Sequence, residues 1–240
     1  MKRIILIAAF LVGCLTGQAQ YVMNGKIEYV RRTNSHAMYE GDEWFDRIKG
    51  EIPKFVNYYY DMAFDTGRTF YKPGKETDSK SWWGRGAAPE NVVYTNMHTG
   101  QVTAQKQVFE AKFLVQDSAR KMSWKEKAEV RTIAGHQCHK AVGIICDSVY
   151  VVAFYAEDIP VSGGPEMFGG LPGMILELAI PRLHSVWTAN KVELATITND
   201  DFKIPQKGKK VSNKELFDNV KDSFTDWGKQ AASNVWWITL

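Results

Sequence analysis

The chain has 240 residues, of which 45% are hydrophobic and 24% charged, and it carries a formal charge of +3 at pH 7. These totals exclude a disordered chain and leave no basic surplus for a nucleic acid or an anionic surface. The length is enough for one sizeable core.

Residues 1–19 read as a signal peptide. Lys2 and Arg3 form the charged start, Ile4 to Val12 an apolar run too short to span a bilayer, and Gly17-Gln18-Ala19 a small-residue cleavage site before Gln20. Losing Lys2 and Arg3 takes the charge from +3 to +1. Leu11-Val12-Gly13-Cys14 offers the alternative of a lipoprotein signal over 1–13, with Cys14 as the lipid-bearing first residue. The chain is therefore expected to be exported, to the periplasm or to the outer membrane and cell surface, and to meet a membrane only through that anchor. Residues 20–240 show one composition throughout and read as a single β-rich domain.

Tyr21 to Arg32 is a first strand, with Ile27, Tyr29 and Arg31 on one face. Asp42 is a suitable N-cap for a short helix to Lys49, which Gly50 and Pro53 stop. Phe55 to Phe64 and Arg68 to Tyr71 flank Asp65-Thr66-Gly67 as a hairpin. Residues 72–90 form a long loop holding Trp82 and Trp83, an indole pair expected to cap the core. Asn91 to Met97 and Gln101 to Gln107 make a second hairpin around His98-Thr99-Gly100, and Val108 to Gln116 continues or restarts the strand. Ser123 to Ile133, Gln137 to Ile145 and Tyr150 to Ala156 are three extended runs with short connections, so neighbours should pair antiparallel.

Residues 157–180 read EDIPVSGGPEMFGGLPGMILELAI. Leu171-Pro172-Gly173-Met174 fits a type II turn with φ > 0 at Gly173. Beyond it Met174, Leu176, Leu178 and Ile180 share one face of a core strand, and Ser185 to Thr198 returns as another. Asn199 to Lys210 reads as a linker. Ser212 and Glu215 then make a capping box, Val211 and Leu216 a hydrophobic staple, and Leu216, Phe217, Val220, Phe224 and Trp227 an apolar stripe ending near Gly228. Val235-Trp236-Trp237-Ile238 is expected to dock or add a strand. The fold class is mainly β: about nine or ten strands in one antiparallel system, a curved sheet or half-barrel with one C-terminal amphipathic helix packed on it.

No local catalytic motif is present: no Gly-x-Ser-x-Gly elbow, no phosphate loop and no metal-protease histidine pair. Gly84-Arg85-Gly86 and Gly169-Gly170-Leu171-Pro172-Gly173 lack the surroundings of a dinucleotide site, so no cofactor is expected. His136, Cys138 and His139 are metal-ligand types, but on a strand His139 faces away from the other two, and no metal is assigned. Export permits a disulfide. Cys138 and Cys146 are nevertheless expected unpaired, because eight extended residues at ~3.3 Å each put their Cα atoms roughly 26 Å apart, against ~4.4 to 6.8 Å for a bridge.

Phe154-Tyr155-Ala156-Glu157-Asp158-Ile159-Pro160, Gly164-Pro165 and Phe168-Gly169-Gly170-Leu171-Pro172-Gly173-Met174-Ile175-Leu176-Glu177 resemble the signature of the GLPGLI family of exported Bacteroidetes proteins. Upstream, Gly135-His136-Gln137-Cys138-His139-Lys140-Ala141 is similar to the family's Gly-x-x-Cys-x-Lys-Ala strand. Phe154 stands where Trp is usual and Met174 where the family name has Leu; both substitutions keep size and apolarity. The resemblance implies export and a β-rich fold. It brings no assigned reaction and hence no catalytic residues.

Two functions follow as expectations. The first is a non-enzymatic cell-envelope protein whose curved sheet holds an apolar ligand or a protein partner, consistent with its 8 Trp, 10 Tyr and 12 Phe. The region around Gly170-Leu171-Pro172 also resembles the half-barrel carriers of periplasmic lipoproteins. The second is a secreted hydrolase with a site near the Gly/Pro loop 160–173, drawing on Asp158, His136, Cys138 or Ser162.

Overall fold

The computed structural model describes residues 21–77, 86, 88–227 and 230–240, apart from the side chains of 225–227 and 230–231. The leader with Cys14, the Trp82-Trp83 pair, the Trp227 side chain and Gly228 lie outside the described residues.

The described residues form twelve strands: β1 (Gly25–Asn34), β2 (Phe55–Phe64), β3 (Arg68–Pro73), β4 (Val92–Asn96), β5 (Gln101–Val108), β6 (Ala111–Ser118), β7 (Lys125–Ile133), β8 (His136–Ile145), β9 (Val149–Ala156), β10 (Met174–Ile180), β11 (Ser185–Leu194) and β12 (Lys209–Val211), with clean period-two burial in β1, β2 and β5. They make one open, curled sheet in the order β12-β6-β5-β4-β3-β2-β1-β11-β10-β9-β8-β7. The mainly-β expectation with a C-terminal helix holds. The expected strand count is low, because Ala111–Ser118 turns back as a strand of its own rather than continuing β5 and because β12 lies at the end of the stretch read as a linker; β12 pairs with β6 parallel rather than antiparallel.

Side chains of one parity fill the concave face. Arg31 of β1 sits opposite Tyr58 of β2 and Trp187 of β11, and Tyr29 opposite Tyr60. Their neighbours around the curl are Tyr71, Val93, Ala104 and Val115 on one side and Leu178, Ala153 and Ala141 on the other, all nearly inaccessible to solvent. The β2–β3 turn is fixed by Asp65, whose Oδ1 accepts the Gly67 and Arg68 N–H groups at 2.9 and 2.7 Å.

Among the described residues four α-helical segments accompany the sheet: α1 (Ser35–Met38), α2 (Glu43–Ile48), α3 (Asn213–Val220) and α4 (Gln230–Thr239). Asp42 caps α2 as expected, accepting from Trp44 and Phe45 N–H, while α1, a single turn capped by Asn34, has no counterpart in the sequence reading. The Ser212/Glu215 capping box is present and Val211 and Leu216 are buried. The long stripe is not one helix. It divides into α3 and a 3-10 stretch over 221–227. Leu216, Val220 and Phe224 keep the i, i+4 spacing and are buried, whereas Phe217, one residue out of register, is exposed. Val235-Trp236-Trp237-Ile238 is helical, and Trp237 and Ile238 enter the concave face fully buried.

Candidate functional site

The Gly/Pro segment between β9 and β10 packs inward instead of standing off the surface. Ile159, Val161, Glu166, Met167, Phe168 and Leu171 are all buried. Its backbone is held by short-range turns, with Val161 N–H to Ile159 C=O at 2.7 Å and Gly163 N–H to Val161 C=O at 2.8 Å. Two further bonds zip it onto the start of β10: Met174 N–H to Ile159 C=O at 3.0 Å and Ile175 N–H to Gly163 C=O at 2.8 Å. A bulge at Leu176 turns Ile175 inward, and Tyr29 donates its hydroxyl to the Ile175 carbonyl at 2.7 Å.

The expected type II turn is absent. Gly173 does not have positive φ; the glycine of this run that does is Gly170, at φ 87°. Gly173 is glycine because the chain crosses the end of β9, where an added Cβ would lie 2.1 Å from the Ala156 carbonyl oxygen. Gly170 is exposed and has room, with Trp124 3.7 Å from the position of an added Cβ. Trp124 in turn donates its indole N–H to Gly169 C=O at 2.9 Å.

Glu166 reaches from this segment into the filled concave face. Its backbone is left-handed, φ 55°, and its Oε2 accepts from Asn91 Nδ2 at 2.7 Å while Oε1 takes the Tyr71 hydroxyl at 3.5 Å. Such strain in a non-glycine residue costs about 1 to 2 kcal/mol and persists only where the surroundings hold it. The Trp187 indole donates to the Tyr71 oxygen at 3.2 Å. The Arg31 guanidinium lies over Tyr58, Trp237 and Tyr60 at 4.6, 4.7 and 5.5 Å from their centroids. Lys106 donates to Ile238 C=O at 2.8 Å and Arg120 donates to Thr239 C=O, so two cations, one buried and one half-buried, cap the last turn of α4. Burial raises the Glu166 carboxyl and lowers Lys106 to about 7, with the neighbouring Glu166 opposing the latter shift. Burial also lowers Arg120.

Beside this cluster, between the Gly/Pro segment and the ends of β3 to β6, is a cleft of about 480 Å³. Its apolar lining includes Met97, Met122, Met167 and Phe168; Arg120, Lys121, Ser162 and Thr69 supply polar groups. The Arg120 guanidinium lies 5.3 Å from the Phe168 centroid, and its Nη1 is buried without a hydrogen-bond partner among the described residues. A second cleft of about 410 Å³ is bordered by charges already paired, Lys26 with Asp201 at 2.9 Å and Lys191 with Glu193 at 2.6 Å. A third, about 470 Å³, runs between Met38, Leu183 and Trp236.

The residues singled out in the sequence fall into separate places. Cys138 and Cys146 are free thiols; Cys138 is buried, held up to about 12 chiefly by burial, with its Sγ 3.5 Å from the His136 carbonyl oxygen. His136 Nδ1 meets Asp158 Oδ2 at 2.7 Å, and no three His, Cys, Asp or Glu side chains converge among the described residues. Ser162 Oγ accepts the Gly170 N–H at 2.9 Å and has no carboxylate or imidazole partner among the described residues. A protonated thiol and a hydroxyl without a base make no activated nucleophile. Lys140 pairs with Glu129 at 2.5 Å beside Phe154, over which Arg131 stacks at 4.1 Å, an outward-facing ladder. Ala141, Phe154, Ile159, Gly164 and Pro165 are packing positions, and Pro160, Gly170 and Pro172 are exposed. Sequence reasoning does not find Glu166, Lys106, Arg120, Asn91, Tyr71 or Trp237 as a group. One signal is present: Lys106 shares the inward parity of Val102, Ala104 and Val108.

The chain is thus a curled β-sheet protein whose own loop and helix fill the sheet, leaving a side cleft. Residues 97–177 match a family model described as "Protein of unknown function (Porph_ging)", a span holding both sequence motifs. None of the curated proteins matches the sequence. Among solved structures, "Structure of PNGF-II in P21 space group" superposes with a TM-score of 0.55 at 16% identity, covering 82% of this chain and 32% of that one. Its C2 crystal form gives 0.49 at 16% identity, covering 90% and 33%. An uncharacterized conserved protein from Thermus thermophilus gives 0.40 at 6% identity, covering 78% and 90%. The first likeness shows a shared fold, and this chain spans about a third of the PNGF-II chain it matches.

Proposed function

We propose that this is an exported binding protein of the GLPGLI type, without catalysis, that takes an apolar ligand into the cleft beside the Gly/Pro segment. The observation that carries the reading is the cleft itself: about 480 Å³, within the range of small-molecule sites, and lined by three methionines and a phenylalanine. Methionine side chains adapt to an irregular apolar guest. The filled concave face argues against a ligand in the sheet's interior, since Trp237, Ile238 and Glu166 already occupy it.

Titration of the purified, delipidated protein with dodecanol, followed by calorimetry and by thermal unfolding, tests this. Saturable binding with a raised Tm is expected. Ala119→Trp, at a residue that lines the cleft, should remove the binding, with circular dichroism checking that the fold is kept. Absence of binding to the wild type, or full binding to the variant, would refute the reading.

A further inference from the structure

Arg120 is the feature of the cleft that apolar binding leaves unexplained. It lies between the Phe168 ring and the end of α4, where Nη2 donates to the Thr239 carbonyl. Nη1 is shielded from solvent and bonded to no described group. A buried donor left in that state costs about 1 to 3 kcal/mol, more when charged, so an acceptor is wanted there. Glu166 acts on Arg120 only through space, its oxygens being engaged by Asn91 and Tyr71, and no carboxylate bonds Arg120 among the described residues. Lys121 adds a second positive group on the exposed rim, and the fully buried Lys106 lies close enough to interact with Arg120 electrostatically. The electrostatic complement of this corner is an anion.

The rest of the cleft selects what the anion is attached to. Main-chain N–H groups along its wall are already used, Ala119 to Gly100 C=O at 2.8 Å, Gly163 to Val161 C=O at 2.8 Å and Gly170 to Ser162 Oγ at 2.9 Å. A peptide laid here would find few partners for its own amides, whereas an alkyl chain asks for none. Met97, Met122, Met167 and Phe168 offer that chain apolar lining.

We infer that the ligand is an amphipathic alkyl carboxylate, its head group accepting from Arg120 and its chain lying on the three methionines and Phe168. This rests on the cleft being the binding site. Arginine and a carboxylate form short, charge-assisted bonds, and the guanidinium fork suits two oxygens.

The probes are dodecanoate and dodecanol, which share the chain and differ in the charge. Wild-type protein should bind dodecanoate about tenfold more tightly, equivalent to about 1.4 kcal/mol. The preference should vanish in Arg120→Gln and persist in Lys121→Gln. If neither probe binds, the cleft reading itself falls. Equal binding of the two, or a preference that Lys121→Gln removes and Arg120→Gln leaves, overturns the Arg120 assignment while sparing the cleft. Because Arg120 also caps α4, the glutamine variant is checked by circular dichroism, and a second measurement uses wild type alone. The ¹³C-carboxyl titration of labelled, bound dodecanoate should shift below that of the free acid, as a cation neighbour requires. An unshifted or raised midpoint contradicts the proposal.

Discussion

Gly173→Ala should lower the unfolding free energy by about 3 kcal/mol, seen as a lower urea midpoint at unchanged m. The cause is the approach of the chain to β9: the new Cβ would lie 2.1 Å from Ala156 O, 2.7 Å from Ala156 C and 3.1 Å from Glu157 Cα, all backbone atoms that no rotamer change can move. Relief would require moving Gly173 away from the end of β9, disturbing the antiparallel pairing of Met174 with Ala156. Gly170→Ala is the internal control. There φ is 87° and the nearest atom, Trp124 Nε1, is 3.7 Å away, so the cost is the left-handed backbone alone, about 1 to 2 kcal/mol. Gly170→Asn should recover part of it, because asparagine tolerates that region. No substitution at Gly173 should. If Gly173→Asn restores stability relative to Gly173→Ala, positive φ rather than close approach governs the site.

The second large effect is a pH dependence set by Lys106. Its ammonium is lowered to about 7 by burial, and an unfolded lysine titrates near ~10.4. Between those values the unfolded chain binds the extra proton. Stability is therefore full above pH ~10.4, falls as pH drops toward 7 by about 1 kcal/mol per unit, and levels off below. Glu166, raised by burial, acts with the opposite sign: its contribution is greatest below ~4.3 and is lost as pH rises through the folded value. Urea unfolding of wild type and Lys106→Met from pH ~7 to ~9.5 isolates the lysine. The variant should show a flatter profile, whatever its absolute stability. A wild-type curve that falls over this range, or matching slopes in both proteins, contradicts the burial of a titrating Lys106.

Strand existence is readable because the alternation in Phe55 to Phe64 and in Gln101 to Gln107 reports burial on one side only. The caps at Asp42 and Ser212 are readable because they depend on residues three apart in sequence. Parallel β12 is not, since three residues, two of them lysines, carry no periodic signal and their pairing with Phe113 to Val115 is a long-range event. For Gly173 the sequence indicates a backbone necessity but not its cause, because a Pro-Gly pair looks the same whether it needs positive φ or a near neighbour. The site is the least legible part. Glu166 reads as one more polar residue in a loop, and its meeting with Asn91, Tyr71 and Lys106 comes only from the curling of the sheet. Arg120, just past β6, lies in an irregular segment that gives no hint of a shielded guanidinium.

Under the proposed function, an alkyl ligand occupies the cleft beside the Gly/Pro segment. Photolabelling with a dodecyl probe carrying a terminal diazirine, followed by peptide mapping, addresses it directly. Adducts are predicted on the peptides containing Met97, Met122 and Met167-Phe168, with competition by unlabelled ligand. Adducts concentrated instead at the Met38–Trp236 cleft, or scattered without competition, would contradict it.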